Sequence, residues 1–116
     1  MSAYPPNLII TPPIARSPKF QSGAFPDGVD FKLQLANSAT AGDSIASITD
    51  VTATVLEGTD PNPGNILNGA PYILGTEALQ QIVGGVAGVQ YLLTFTVQTV
   101  QGNTLVGQIS FWVQAG

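Results

Sequence analysis

Few side chains in this sequence could carry acid–base or nucleophilic chemistry. It has no histidine and no cysteine, seven acids (Asp27, Asp30, Asp43, Asp50, Glu57, Asp60 and Glu77) and three cations (Arg16, Lys19 and Lys32). The commonest general base is therefore missing, along with most zinc sites and both thiol and Ser-His nucleophiles. A glycosidase needs two carboxylates about 5 to 10 Å apart across a sugar. Asp27 and Asp30 are close in sequence, but at a turn and on the wet side of a strand they read as solvated acids. Asp60, Asn62, Asn65 and Asn68 place oxygens in one loop, yet a single charge among them is little for calcium. Gly84-Gly85-Val86-Ala87-Gly88 resembles a phosphate loop only superficially. It lacks the Gly-Lys-Ser/Thr ending and the helix that should follow, so its glycines read as a sharp turn between strands. No enzyme, metal or cofactor is expected.

What remains is contact chemistry. Trp112 lies on the opposite parity from Phe111 and Val113, so it faces away from the core beside Gln108, Ser110 and Gln114. Such a tryptophan suits a cover from the N-terminal arm, a protein interface or a stacking platform for sugar. Leu8-Ile9-Ile10 is an apolar cluster among prolines. It is either the first strand of its own domain or an arm that inserts into a neighbour, for instance by strand addition. Tyr4, Leu8, Ile9, Ile10 and Trp112 are the candidate partner-contact residues.

The chain has 116 residues, enough for one domain with a modest core. Only 9% of residues are charged against 44% hydrophobic, where about 25% charged is usual. The surface must be built from Gln, Asn, Ser, Thr and Gly, with little repulsion to hold partners off. Three cations cannot form a basic patch, so nucleic-acid binding is not expected. No apolar run is long enough for a membrane helix, and the N-terminus lacks a secretory signal pattern. No membrane role is expected.

The elements that must position these residues are strands. Pro5-Pro6, Pro12-Pro13, Pro18 and Pro26 break residues 1–26 into an irregular arm. Pro26-Asp27-Gly28 reads as a turn, and Val29 to Ala36 alternates as a strand with Phe31, Leu33 and Leu35 inward. Asn37 to Asp43 reads as a loop. Val51, Ala53 and Val55 define a strand within Ile45 to Glu57, with Leu56 at an end covered on both faces. Gly58 to Ala70 reads as a long loop. Pro71 to Leu74 and Glu77 to Val83 read as short strands. Tyr91, Leu93, Phe95 and Val97 share one face of a long strand, Gln101-Gly102-Asn103 turns it, and Thr104 to Gln114 returns with Leu105, Ile109, Phe111 and Val113 inward. Six to eight short strands make an all-β sandwich over residues 27–116, preceded by the arm.

Three stretches, with the strand Val51 to Leu56 following the first, resemble a known family in order and approximate spacing: Asp43-Ser44-Ile45-Ala46-Ser47, Val83-Gly84-Gly85-Val86-Ala87-Gly88-Val89-Gln90-Tyr91, and Thr99-Val100-Gln101-Gly102-Asn103. They are similar to the small fiber-tail adaptor proteins of tailed bacteriophages. The resemblance spans about Lys19 to Val113. It implies an Ig-like antiparallel β-sandwich present in several copies in the virion, assembled in the bacterial host cytoplasm. Its partners would be other virion proteins, joining the tail or neck to a fiber, without catalytic residues. Two other roles stay open: a capsid decoration protein held by the same kind of contacts, and a carbohydrate-binding module using Trp112.

Overall fold

A computed structural model describes residues 8–10, 14–16, 19–32, 35 and 43–116. Two sheets face each other across one core. The larger is ordered β1-β9-β8-β5, with β2 and β3 also on β9; the smaller is β4-β7-β6. The strands are β1 (Leu8–Ile10), β2 (Ile14–Ala15), β3 (Lys19–Phe20), β4 (Ala24–Asp30), β5 (Ile45–Glu57), β6 (Tyr72–Leu74), β7 (Glu77–Val83), β8 (Gln90–Thr99) and β9 (Thr104–Gln114). The all-β sandwich read from the sequence is the architecture found.

The C-terminal hairpin is its centre. Along β8, Tyr91, Leu93, Phe95 and Val97 are fully buried, and Leu105, Ile109, Phe111 and Val113 meet them from β9. Val29, Phe31, Ala78 and Ile82 close the core from the other sheet. Gly107 interrupts the apolar row of β9 because a Cβ there would come within 2.5 Å of Val29 Cγ1. β8 and β9 form where period-two patterning predicts them.

Several expectations are corrected. Pro26-Asp27-Gly28 does not turn but runs within β4, in register with Gln81, Gln80 and Leu79. Proline is tolerated there because β4 is an edge strand, where a missing N–H costs no ladder bond. A Cβ at position 28 would sit 1.9 Å from the Ala78 carbonyl oxygen, so glycine serves close strand approach rather than a bend. The strand expected over Val29 to Ala36 ends at Asp30. Beyond it the Leu35 N–H donates to the Phe31 carbonyl at 2.9 Å, the spacing of a helical turn, and both side chains are buried. Leu33, Gln34 and residues 36–42, which include most of the expected loop Asn37 to Asp43, lie outside the described residues. Leu56 is 47% exposed, not covered on both faces. Within the long loop, Pro63–Ile66 forms a 3-10 turn that buries Ile66.

The N-terminal segments join β9 in parallel rather than antiparallel fashion. Leu8 pairs with Thr104 and Ile10 with Val106; Ile14 pairs with Ile109 and Ala15 with Ser110; Lys19 pairs with Val113 and Phe20 with Gln114. Between Ile10 and Ile14, and again between Ala15 and Lys19, the N-terminal side advances four residues while β9 advances three. Each interval contains proline, which cannot donate to a ladder.

Candidate partner-binding surface

The residues of the three sequence stretches act as fasteners inside the fold. At one end of the sandwich, the Tyr91 hydroxyl donates to Asp60 Oδ2 at 2.6 Å and accepts from the Val86 N–H at 2.8 Å. Tyr91 thus ties the glycine-rich loop it follows to the long β5–β6 connection. Burial, and then the Asp60 carboxylate, push its phenol up to about 12, against a smaller opposing pull from the Val86 N–H. Asp60 Oδ1 accepts the Asn62 N–H, so both oxygens of the one acid in the calcium-like loop are engaged internally.

Lys19 holds the same end. It is 1% exposed, and its Nζ donates to the carbonyls of Phe20 at 2.7 Å and Gly84 at 2.8 Å. Burial lowers its pKa. The Gln21 Nε2 donates to the Gly85 carbonyl. Gly85 has φ of 101°, and a Cβ there would lie 2.8 Å from Val113, so two independent constraints keep it glycine. Arg16 reaches the smaller sheet: its Nη2 donates to the Gly28 carbonyl at 2.7 Å and its Nε lies 3.4 Å from Asp27 Oδ1.

At the opposite end Asp43 closes the β8–β9 turn. Its Oδ1 accepts the N–H groups of Ser44 and Gln101, and its Oδ2 accepts from Asn103 Nδ2 at 2.8 Å. The Val100 N–H donates to the Ser44 carbonyl. Burial alone would raise the Asp43 pKa. Hydrogen bonds from the Thr99 hydroxyl, Asn103, Gln101 and Ser44 outweigh that and hold it below the ordinary carboxylate value.

With these groups committed to the fold, the contact residues remain. Trp112 points outward as predicted and is 42% exposed. It has neighbours that the sequence reading did not assign to the site. Trp112 faces Gln90 on β8, and Gln90 in turn faces Glu57, next to Leu56 on β5. Two residues along β9, Gln114 faces Phe20. Leu56, Trp112 and Phe20 are all large, apolar and exposed. They form a row across one end of the larger sheet's outer face, three strand spacings or about 14 Å wide. The parity of Phe20 was readable only once the buried Lys19 fixed which side of β3 faces in.

Along β8 and β9 the rest of that outer face is uncharged, whereas β5 adds Glu57 and Asp50, which pair with Gln90 and Thr96. Thr52, Thr94 and Gln108 align across β5, β8 and β9, as do Thr54, Leu92 and Ser110. Gln108 Nε2 donates to Thr94 Oγ1 at 3.0 Å, and Gln98 Nε2 to Thr104 Oγ1 at 2.7 Å. No side chain after Glu77 carries a charge.

Of the other sequence-predicted contact residues, Leu8, Ile9 and Ile10 lie at the far end of β9, beside Thr104 to Val106. The structure therefore separates them from Trp112. Tyr4 lies outside the described residues. Among the described residues no group of three or more acids could hold a metal ion.

Comparison with known proteins gives three findings. No curated protein sequence matches the chain significantly. Among solved structures, a 2,6-sialyltransferase from Photobacterium sp. JT-ISH-224 aligns at a TM-score of 0.46 and 11% identity, covering 93% of this chain and 18% of that one. A family model, podophage GP4 fiber-tail adaptor protein gp77, matches residues 26–112. That match covers both sheets from β4 onward and all three fastening stretches, and on it the chain belongs to the podophage fiber-tail adaptor family.

Proposed function

We propose that this protein is a structural component of the phage virion that joins fiber to tail through protein contacts, and that the row Leu56, Trp112 and Phe20 is one of its contact surfaces. The observation that carries the surface assignment is the exposure of three large apolar side chains together on a sheet face that β8 and β9 leave uncharged. Aromatic residues in such a setting are the usual energetic centre of an interface. The absence of histidine and cysteine supports a role by contact rather than catalysis. Assembly would take place in the host cytoplasm, with several copies per particle.

The test has two stages. Purified particles are separated into tails and capsids and the chain is sought by mass spectrometry; it should travel with tails or fibers. Leu56, Trp112 and Phe20 are then replaced by serine. The triple variant should keep its thermal midpoint to within a few degrees and fail to enter tails. Recovery with capsids alone would make the chain a decoration protein. Normal incorporation of the triple variant would remove the surface assignment.

A further inference from the structure

The connection from β5 to β6 ends in an exposed turn. Leu67 bridges to Ile82 of β7, Asn68, Gly69 and Ala70 are exposed, and β6 begins at Tyr72. Gln80 holds this turn from beneath. It is 1% exposed, although it is an amide in a row otherwise filled by Ala78 and Ile82. Its Nε2 donates to the Asn68 carbonyl at 3.3 Å, the Gly69 carbonyl at 3.0 Å and the Gln81 carbonyl at 3.2 Å. The Asn68 N–H donates in turn to the Gln81 carbonyl at 3.0 Å. A buried amide is thus committed to the two carbonyls of an Asn-Gly pair.

In such a pair the main chain can attack its own side chain. The nitrogen after the asparagine must reach Cγ, an approach that a side chain on the second residue obstructs and glycine leaves open. Asn68-Gly69 is the one Asn-Gly pair in the sequence. Gly69 has φ of 77°, and nothing beyond its chain neighbours lies within 4 Å of where a Cβ would stand. Neither its N–H nor the Asn68 side chain has a hydrogen-bond partner among the described residues. The other described asparagines are unsuited to the reaction. Asn62 precedes Pro63, which has no N–H to lose. Asn65 precedes the buried, β-branched Ile66. Asn103 is buried, and its Nδ2 donates to Asp43 Oδ2 at 2.8 Å.

We propose that Asn68 is a site of spontaneous succinimide formation, and that opening of the succinimide to isoaspartate releases the grip of Gln80 on the turn. Hydroxide takes the Gly69 N–H proton, and the nitrogen bonds to Asn68 Cγ. The Cγ–Nδ2 bond breaks, and ammonia leaves with a proton from water, which restores the hydroxide. The Gln80 donor on the Asn68 carbonyl favours the first step, because that oxygen carries the negative charge of the ionised peptide. Water then opens the ring. Attack at Cγ gives aspartate. Attack at the main-chain carbonyl carbon gives isoaspartate, in which the chain runs through Cγ and is one carbon longer. Both products add a carboxylate, but only the second lengthens the turn. The extra carbon carries the Gly69 carbonyl away from Gln80 and leaves a buried N–H donor unpaired, which destabilises the fold. The reaction needs only water and hydroxide, so it does not rest on the function proposed above.

The test is to age the full chain at mildly alkaline pH beside the capped peptide Ile-Leu-Asn-Gly-Ala, and to follow both by intact-mass and peptide-mapping mass spectrometry. Asn68 should exchange its amide for a carboxyl before any other asparagine, with isoaspartate detected by enzymatic methylation. Asn68→Ser, at an exposed position, should show no such early change. Ion exchange separates the aged chains by their added charge. The aged fraction, rich in isoaspartate, should melt below the Asn68→Asp variant, which has the same charge and the original chain length. Conversion of another asparagine first, or an Asn68 that persists after the peptide has converted completely, would overturn the site. An isoaspartate form as stable as Asn68→Asp would overturn the release of Gln80.

Discussion

Replacing Tyr91 by phenylalanine removes one oxygen from the interior and leaves the ring in place. The ring is fully buried and stacks on Phe111 at 5.9 Å between centroids, so packing should survive. Two hydrogen bonds are lost. The bond to the Asp60 carboxylate is charge-assisted and contributes about 1.5 to 3 kcal/mol, and the Val86 N–H left without its acceptor costs about 1 kcal/mol more. A loss of about 2 to 4 kcal/mol is expected, a large share of the roughly 5 to 15 kcal/mol typical of a domain. In urea unfolding, where slopes run about 1 to 3 kcal/mol per molar, the midpoint should fall by about 1 to 2 M with the slope unchanged. A double-mutant cycle with Asp60→Ala should return a coupling of about 1 to 2 kcal/mol. The same bond has a pH signature. The phenol sits at about 12 in the folded protein and about 10 in the unfolded chain, so its contribution is intact below pH 10 and is lost as pH rises from 10 to 12. Lys19 runs with the opposite sign: burial lowers its pKa, so a cost of folding is relieved as pH rises through that lowered value. The difference between wild type and Tyr91→Phe isolates the phenol. A loss under about 0.5 kcal/mol, or no coupling to Asp60, would refute the view of Tyr91 as a fastener.

The other fasteners make separate predictions. Asp43 is held below the ordinary carboxylate pKa by its donors, so its contribution is present above pH about 4 and fades as pH falls further; Asp43→Asn should flatten the acid limb of stability measured by circular dichroism. Lys19→Met keeps the bulk of a buried side chain but strands the Phe20 and Gly84 carbonyls, so it should cost about 1 to 3 kcal/mol in chemical denaturation. Gly28→Ala must displace the Ala78 carbonyl, which lies 1.9 Å from the new Cβ; the cost should exceed about 3 kcal/mol and show as loss of hydrogen-exchange protection along β4 and β7.

Much of the fold was legible because burial alternates along all of β8 and along β9 except at Ser110, so one face of each is wholly buried. The reading failed where side-chain period and backbone preference conflict. Pro26-Asp27-Gly28 has turn composition, yet an edge strand accepts proline and a close neighbour demands glycine. Phe31 and Leu35 fit a strand by parity, but both are buried equally well by one helical turn. The buried roles of Lys19 and Gln80 had no signal in composition, because a polar side chain goes inside only when backbone carbonyls converge on it, and that convergence is a property of three chain segments at once. The site was half legible: the parity of Trp112 pointed outward, whereas its neighbours Leu56 and Phe20 come from distant strands that only the register brings together.

The parallel run of β1, β2 and β3 along β9 also has a mechanical meaning. Leu8 lies beside the start of β9 and Phe20 beside its end. Tension applied between Leu8 and Gln114 would slide one strand along the other and load the three short pairings together, as in a lap joint. Tension applied across the sheet would open them one at a time. In the proposed place between a tail and a fiber, this geometry would give the protein a strong axis and a weak one, separable by single-molecule pulling along each direction.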